Sequence, residues 1–412
     1  MSISNPIFSL VLMGLILFMA AAISKHWRFY AELGLRESAN PGRTPALDGL
    51  RGFLAFGVFF HHCLAWFGLV RLGKAWAFPL HQDPGMSYYA ALGPVSVDFF
   101  FMISGYLFWT KAIESEGRIR PLKLYRNRFL RIAPLYLFSA SCILACVFFK
   151  TGLRLAVPAR DLIGDLLGMC YLGFFTLGTI NGVYANNINA GVFWSLHYEW
   201  LFYAILPFIA VCARPRRAWA FIAITLLLCL WSPEDVRPGF WVGIVTAHVA
   251  RQPTVRKFLC SAPATACLLA CISLSLWGSI HGSPLLTALL LAFPFAAFAC
   301  GNGIFGLLTS AAARQLGTIS YSIYLLHGIV LYLGVSLVQC VVPLSALSVP
   351  ECWLLCSVFG LALPLLCSLT YRYIEHPFLG KLSSRKPESL SSSPLLQRQM
   401  NAVPASPDVV VS

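Results

Sequence analysis

Eleven apolar runs, most of them long enough to cross a lipid bilayer, dominate this chain: 6–24, 50–70, 87–110, 132–149, 194–213, 216–232, 237–250, 259–280, 285–303, 319–342 and 351–371. A helix needs about 20 apolar residues to span the hydrocarbon layer. A soluble protein built from such runs would need a charged shell. Only 11% of these residues are charged, against roughly a quarter in ordinary soluble domains. A lipid solvent removes that need, because the outer surface can be apolar. The expected fold class is all-α, a polytopic transmembrane helix bundle of about 11 spans, with lipid as its first partner. The run at 237–250 is the shortest. Asp161–Ile180 carries two acids and four glycines and precedes Asn181, Asn186, Asn187 and Asn189, so it is read as an excursion lying on or dipping into the membrane.

Charge orients the spans. The net charge is +14, but the basic residues sit in short clusters between apolar runs. That is the pattern of cytoplasmic loops, not of a nucleic-acid surface. With the N-terminus outside and spans alternating, 24 of the 30 lysines and arginines fall on the inside. Counting Asp161–Ile180 as a span would move the later clusters outside. No lysine or arginine precedes the first run, and Lys25, His26 and Arg28 follow it, so it reads as a spanning helix rather than a cleaved signal. Most of the 14 cysteines lie inside apolar runs, where they act as small apolar fillers. No cysteine or histidine pattern has metal-ligand spacing.

Ionisable residues at membrane depth are costly and mark candidate function. Arg51 stands at the cytoplasmic edge of the second run, and His62 lies eleven residues further, about 16 Å deeper. Histidine takes up protons near neutral pH and can act as a nucleophile. Its neighbour His61 points about 100° away. Asp98 lies near the centre of the third run and needs a partner such as His62 or an arginine to stay charged. Ser104-Gly105 is a small pair that permits close helix packing. Arg126-Asn127-Arg128-Phe129-Leu130-Arg131 is a basic entry to a span, and guanidinium forks match phosphate oxygens. A nucleotide-bearing acyl donor would need such a site. Trp194 reads as an outer-interface aromatic, with Glu199 about 7 Å deeper, a functional candidate whose bland alternative is a carboxyl facing water in an outer vestibule. Tyr324 and His327 share a helix face. Together these groups suggest transfer across the membrane from an anionic cytoplasmic donor. A secondary transporter would also bury charge, but the repeat common in transporters is not visible here. A non-enzymatic membrane sensor would need none of this chemistry.

Six blocks resemble acyltransferase family 3, the bacterial membrane acyltransferases that include O-antigen and exopolysaccharide O-acetylases. They are Leu47-Asp48-Gly49-Leu50-Arg51-Gly52 with His62, the Asp98 to Tyr106 block with Ser104, and Arg128 to Tyr136 with Arg131. The others are Trp194 to Tyr203 with Glu199, Ser320 to His327 with Tyr324, and Glu375 to Pro377. Tyr106 and His197-Tyr198 depart mildly from the family pattern. The family core has ten spans, which makes the 6–24 helix an N-terminal addition. The resemblance divides the chain into 1–46, an N-terminal helix and cytoplasmic linker, 47–380, the membrane acyltransferase domain, and 381–412, a Ser- and Pro-rich tail expected to be disordered in the cytoplasm. It implies the cell inner membrane, no bound cofactor or metal, and acyl-CoA, usually acetyl-CoA, as cytoplasmic donor substrate. Its acceptor is expected to be a carbohydrate or lipid-linked glycan, with a lipid or small natural product as the alternative. It also implies donor phosphates near Arg128 and Arg131, with Arg51 at the mouth. His62 would serve as general base or transient acyl acceptor, Asp98 would orient it, and Glu199 would hold the acceptor hydroxyl. Ser104, Trp194, Tyr203, Tyr324 and His327 would support the acceptor.

Overall fold

A computed structural model describes residues 6–39, 43–72, 84–175, 178–214, 217, 220–223, 238–281 and 284–383. The 381–412 tail lies almost wholly outside them, as does most of the run at 216–232. Seven described helices are long and apolar enough to cross a membrane, or eight if one bent pair is counted as a span. The protein is a multi-pass helical membrane protein.

Helix α1 (Pro6–His26) ends at Lys25-His26 and is followed by the shorter α2 (Arg28–Ser38). The chain re-enters at α3 (Pro45–Leu72) and returns through α4 (Pro84–Glu114) and α5 (Pro121–Lys150). The Asp161–Ile180 stretch does not span. It folds into α6 (Ala159–Met169) and a two-residue hairpin pairing Thr179–Ile180 (β1) with Val183–Tyr184 (β2). At the turn, Asn181 adopts φ 48° and is fully buried. Its side chain accepts from Ala156 N at 2.8 Å and donates to the Arg154 carbonyl at 2.9 Å, which replaces the solvent that the buried amide lost. After α7 (Asn186–Asn189) comes α8 (Trp194–Ile209).

Two expected spans are shorter than a bilayer. The run at 237–250 forms α9 (Pro238–Val249), and the run at 285–303 forms α12 (Pro284–Cys300), interrupted by Pro294. The run at 259–280 is part of a pair, α10 (Pro253–Leu259) and α11 (Ala262–His281), bent by 70° at the break. Hydropathy alone placed these as full spans. Helix length is cut by prolines and by the turns at Cys260-Ser261 and Gly301. The closing elements are α13 (Ala311–Thr318), α14 (Ser320–Gln339), α15 (Val349–Thr370), a π-helical turn over Tyr371–Glu375 and α16 (His376–Ser383). Ser310 caps α13 by accepting from Ala313 N, and Ser348 with Glu351 forms a capping box on α15.

Two close crossings hold the bundle around its interior. A Cβ on Gly105 would strike the Phe240 carbonyl, and one on Gly243 the Met102 carbonyl, so α4 and α9 meet backbone to backbone. A Cβ on Gly317 would strike the Asp48 carbonyl, which locks α13 against the start of α3. The first helix is no loose addition: Leu12, Ile16 and Ala20 are buried in the main core, and Tyr30 donates to the Ser368 carbonyl at 2.7 Å. Arg372 rests over Trp27 and Phe29.

Overpacking the α4–α9 crossing should be costly. Gly243→Leu is expected to destabilise by about 1–3 kcal/mol, read as a lower melting temperature in detergent, whereas Gly34→Ala, inside α2 with open space for a Cβ, should hold or slightly raise it.

Candidate active site

Helices α3, α4, α5, α8, α13 and α14 enclose a cavity of about 410 Å³. Its walls carry Arg51, Arg128 and Arg131, so three cations from two helices converge on one space. Arg131 pairs with Glu375 at 3.7 Å, and the Glu375 side chain has no solvent exposure. The π-helical turn delivers that carboxylate inward, where Ser322 also donates to it. Arg131 lies 5.6 Å from the Tyr321 ring centroid. Arg128 stacks 4.8 Å from Phe108 and 5.6 Å from Tyr203, and its buried Nε has no hydrogen-bond partner. Among the described residues, neither Arg51 nor Arg128 forms an ion pair. A concave, partly apolar site with unsatisfied guanidinium donors is built for an anion.

Glu199 lines this same cavity. It accepts from the Tyr203 hydroxyl at 2.8 Å, one helical turn closer to Arg128. Ser104 also lines the cavity, while its neighbour Gly105 makes the backbone crossing. Trp194 does not line it; the indole is partly exposed and packs edge-on against Tyr198 and Phe101.

The far end of the cavity is closed by Ser195 and Tyr324, whose hydroxyls lie 2.8 Å apart. His327 is one turn beyond Tyr324, with ring centroids 6.3 Å apart. There the structure makes a pairing that the sequence left open. His327 Nε2 lies 2.9 Å from His62 Nδ1, and His327 Nδ1 lies 3.0 Å from the Ile323 carbonyl. A carbonyl accepts only, so His327 carries its proton on Nδ1 and presents the Nε2 lone pair to His62. His62 then donates from Nδ1, shared with the Val58 carbonyl at 3.0 Å, and its Nε2 is the basic nitrogen.

Asp98 was expected to pair with His62 or an arginine. Its side chain is buried, and among the described residues the group set against His62 is His327. The reason is geometric, because His62 on α3 faces α14 at this level.

Three contributors carried no role in the sequence reading. Glu375 closes a recognised block, yet its reach to Arg131 depends on the π-turn. Glu37 and Arg43 line the cavity from the segment before α3. Arg43 pairs with Glu37 at 2.5 Å and Asp48 at 2.8 Å. Burial opposes its charge, but the Asp48 hydrogen bond and the two carboxylates hold its guanidinium above the ordinary value. A basic residue five positions before Asp48 was the available signal.

Residues 44–234 match the family model described as an acyltransferase domain. Over that stretch, a little under half of the chain, the sequence is similar to acyltransferase family 3. Nodulation protein 10 of Rhizobium leguminosarum bv. viciae is 27% identical over 216 residues, covering 48% of this chain and 53% of that protein. Protein 2 in the picA locus of Rhizobium radiobacter is 31% identical over 125 residues, covering 30% of this chain and 55% of that protein. O-acetyltransferase OatA of Staphylococcus aureus is 27% identical over 209 residues, covering 49% of this chain and 28% of that protein. The chain thus spans about half the length of the first two relatives. No solved structure matches. The family match ends before α13 and α14, yet α13 lines the cavity through Gly317 and Thr318, and α14 supplies Tyr324 and His327.

Removing Arg131 should strand the Glu375 carboxylate. Arg131→Met is expected to cost on the order of 3 kcal/mol, seen as a lowered melting temperature, and adding Glu375→Gln should restore much of it.

Proposed function

We propose that the protein transfers an acyl group, in the first instance acetyl, from acyl-CoA to a hydroxyl of a cell-surface carbohydrate such as O-antigen or exopolysaccharide. The observation that carries this reading is an arginine-lined cavity ending one helical turn from a hydrogen-bonded histidine pair. The matched acyltransferase domain and the relative named as an O-acetyltransferase support it. The charge pattern supports a cytoplasmic donor, with the N-terminus outside and the chain in the inner membrane.

In this reading Arg51, Arg128 and Arg131 hold donor phosphates, and the thioester reaches past Tyr324 toward His62. His62 Nε2 takes the proton of the acceptor hydroxyl. The oxygen attacks the thioester carbonyl, the C–S bond breaks, and the departing thiolate receives that proton to leave as free thiol. His327 is a positioning residue: its Nε2 lone pair fixes the tautomer of His62 and accepts from the imidazolium that forms. Glu199 anchors Tyr203 and sets negative charge against the arginines. Trp194 would meet the acceptor from the outer side. Asp98 retains no assigned step.

Deleting the protein should abolish an acetyl signal in the NMR spectrum of surface glycan. Wild type should restore it, and His62→Ala at equal membrane level should not. An acetyl profile indifferent to deletion would remove carbohydrate as the acceptor.

The two halves of the site should separate kinetically. Arg128→Ala is expected to raise the KM for acetyl-CoA about tenfold with little change in kcat. His327→Phe should lower kcat on the order of 10²-fold with KM nearly unchanged. Initial rates of thiol release distinguish the two, and a His327→Phe enzyme with full kcat would remove the positioning role.

A further inference from the structure

Beside the main cavity lies a second pocket of about 300 Å³, and the two share Phe108 and Arg128 as common wall. Its rim carries Lys111, Arg118, Arg120 and Lys123, and no acidic residue lines it. We infer that this pocket is a phosphate site, which receives the 3′-phosphorylated nucleotide end of the donor while the rest of the donor lies in the arginine cavity. The inference rests on the acyl-CoA reading above.

Loop charges alone would follow from the positive-inside rule. That rule fixes the sign of a loop, but not its gathering into a concavity that opens onto another site. Three observations go further. First, the pocket is built before any ligand arrives. Gly117 at φ 79° turns the chain between α4 and α5, and its N–H donates to the Ala112 carbonyl at 2.8 Å. A Cβ there would meet the Ala210 carbonyl, and Arg214 Nε donates to the Glu116 carbonyl at 3.3 Å, so the turn is seated against the end of α8.

Second, α5 begins at the pocket with no acid in its first turn and no side-chain cap on its N-terminus. Its first N–H groups and its dipole therefore favour an anion there. Third, the buried Arg128 Nε on the shared wall lacks a hydrogen-bond partner. Among the described residues the rim cations meet few acids: Arg118 lies 3.8 Å from Glu116 with both side chains exposed, and Glu114 acts on Lys111 without a salt bridge. Lys123 and Arg131 lie eight residues apart on α5, about 12 Å, so one extended ligand can touch both pockets.

The same phosphate chemistry could be offered by an anionic lipid headgroup, and the experiment separates the sources. Initial rates are measured with acetyl-CoA and with acetyl-3′-dephospho-CoA, for wild type and for the Arg118→Ala/Lys123→Ala double variant. Wild type should show roughly a tenfold lower KM for acetyl-CoA. The double variant should lose that preference, its KM for acetyl-CoA rising to the dephospho value while the dephospho KM stays in place. Equal effects on both donors, or none on either, would overturn the inference. So would a variant effect seen only as altered dependence on phosphatidylglycerol in nanodiscs, which would assign the pocket to lipid. Titration of wild type with adenosine 3′,5′-bisphosphate checks the site without turnover: binding lost in the double variant supports it, and no binding to wild type overturns it. Transfer from neither donor by wild type would sink the acyl-CoA reading, and the titration would still decide the phosphate site.

Discussion

Guanidinium groups held among apolar helices set the terms for the rest of this bundle. A charge inside a membrane protein must be paired, stacked on a ring or offered to a ligand. The three arginines that α3 and α5 bring to the cavity meet that demand differently. Arg131 has a carboxylate and a tyrosine face, Arg128 has two aromatic faces, and Arg51 has neither ion pair nor ring contact among the described residues. Pairing decreases from Arg131 to Arg51, and with Arg43 tied to Glu37 and Asp48, the wall keeps guanidinium donors on offer to an anion. Glu375, buried and reached through a π-helical turn, is the fixed counterweight that keeps this interior from carrying the charge of all three. π-turns recur at functional sites because they redirect one side chain without ending the helix.

The mouth of the same cavity is built from elements far apart in sequence. Gly317 brings α13 onto the Asp48 carbonyl. Thr318 then donates to Glu37 at 3.3 Å, and Arg43 bridges Glu37 and Asp48. Residues ahead of the matched acyltransferase domain and residues after it therefore meet at one rim. The domain needs both flanks to complete its cavity, which explains why α1 and α2 are packed into the core and held by Tyr30 and Arg372.

Much of this was legible from the chain. Long apolar runs mark α1, α3, α4, α5, α8, α14 and α15, because bilayer thickness imposes one length on a spanning helix. Short α9 and α12 were overextended, since hydropathy does not register where a proline or a turn stops the hydrogen-bond ladder. The arginines were readable as candidates because Arg128 and Arg131 sit three residues apart on α5 and Arg51 stands inside a block at the start of a span. Partnerships across helices were not readable. His62 to His327 spans 265 positions, and which face of α3 meets α14 is decided by the packing of glycines and rings, not by local pattern. Nor could local pattern show that Glu199 lines the same cavity as the arginines, or that His327 is the side chain set against His62.

The separation between cavity and histidines is itself informative. Val97, Phe100 and Phe101 of α4 and Tyr324 of α14 make the far wall apolar, and the Phe100 and Tyr324 rings lie 5.9 Å apart. An anion can be held by the arginines without bringing water to the imidazoles. Tyr324 is pinned by Ser195 and stands one turn from His327, so a neutral, slender group is the kind of ligand end that can pass this wall while charge stays behind. A thioester meets that description, and a phosphate does not. In the proposed reaction, the same separation would limit loss of the acyl group to water.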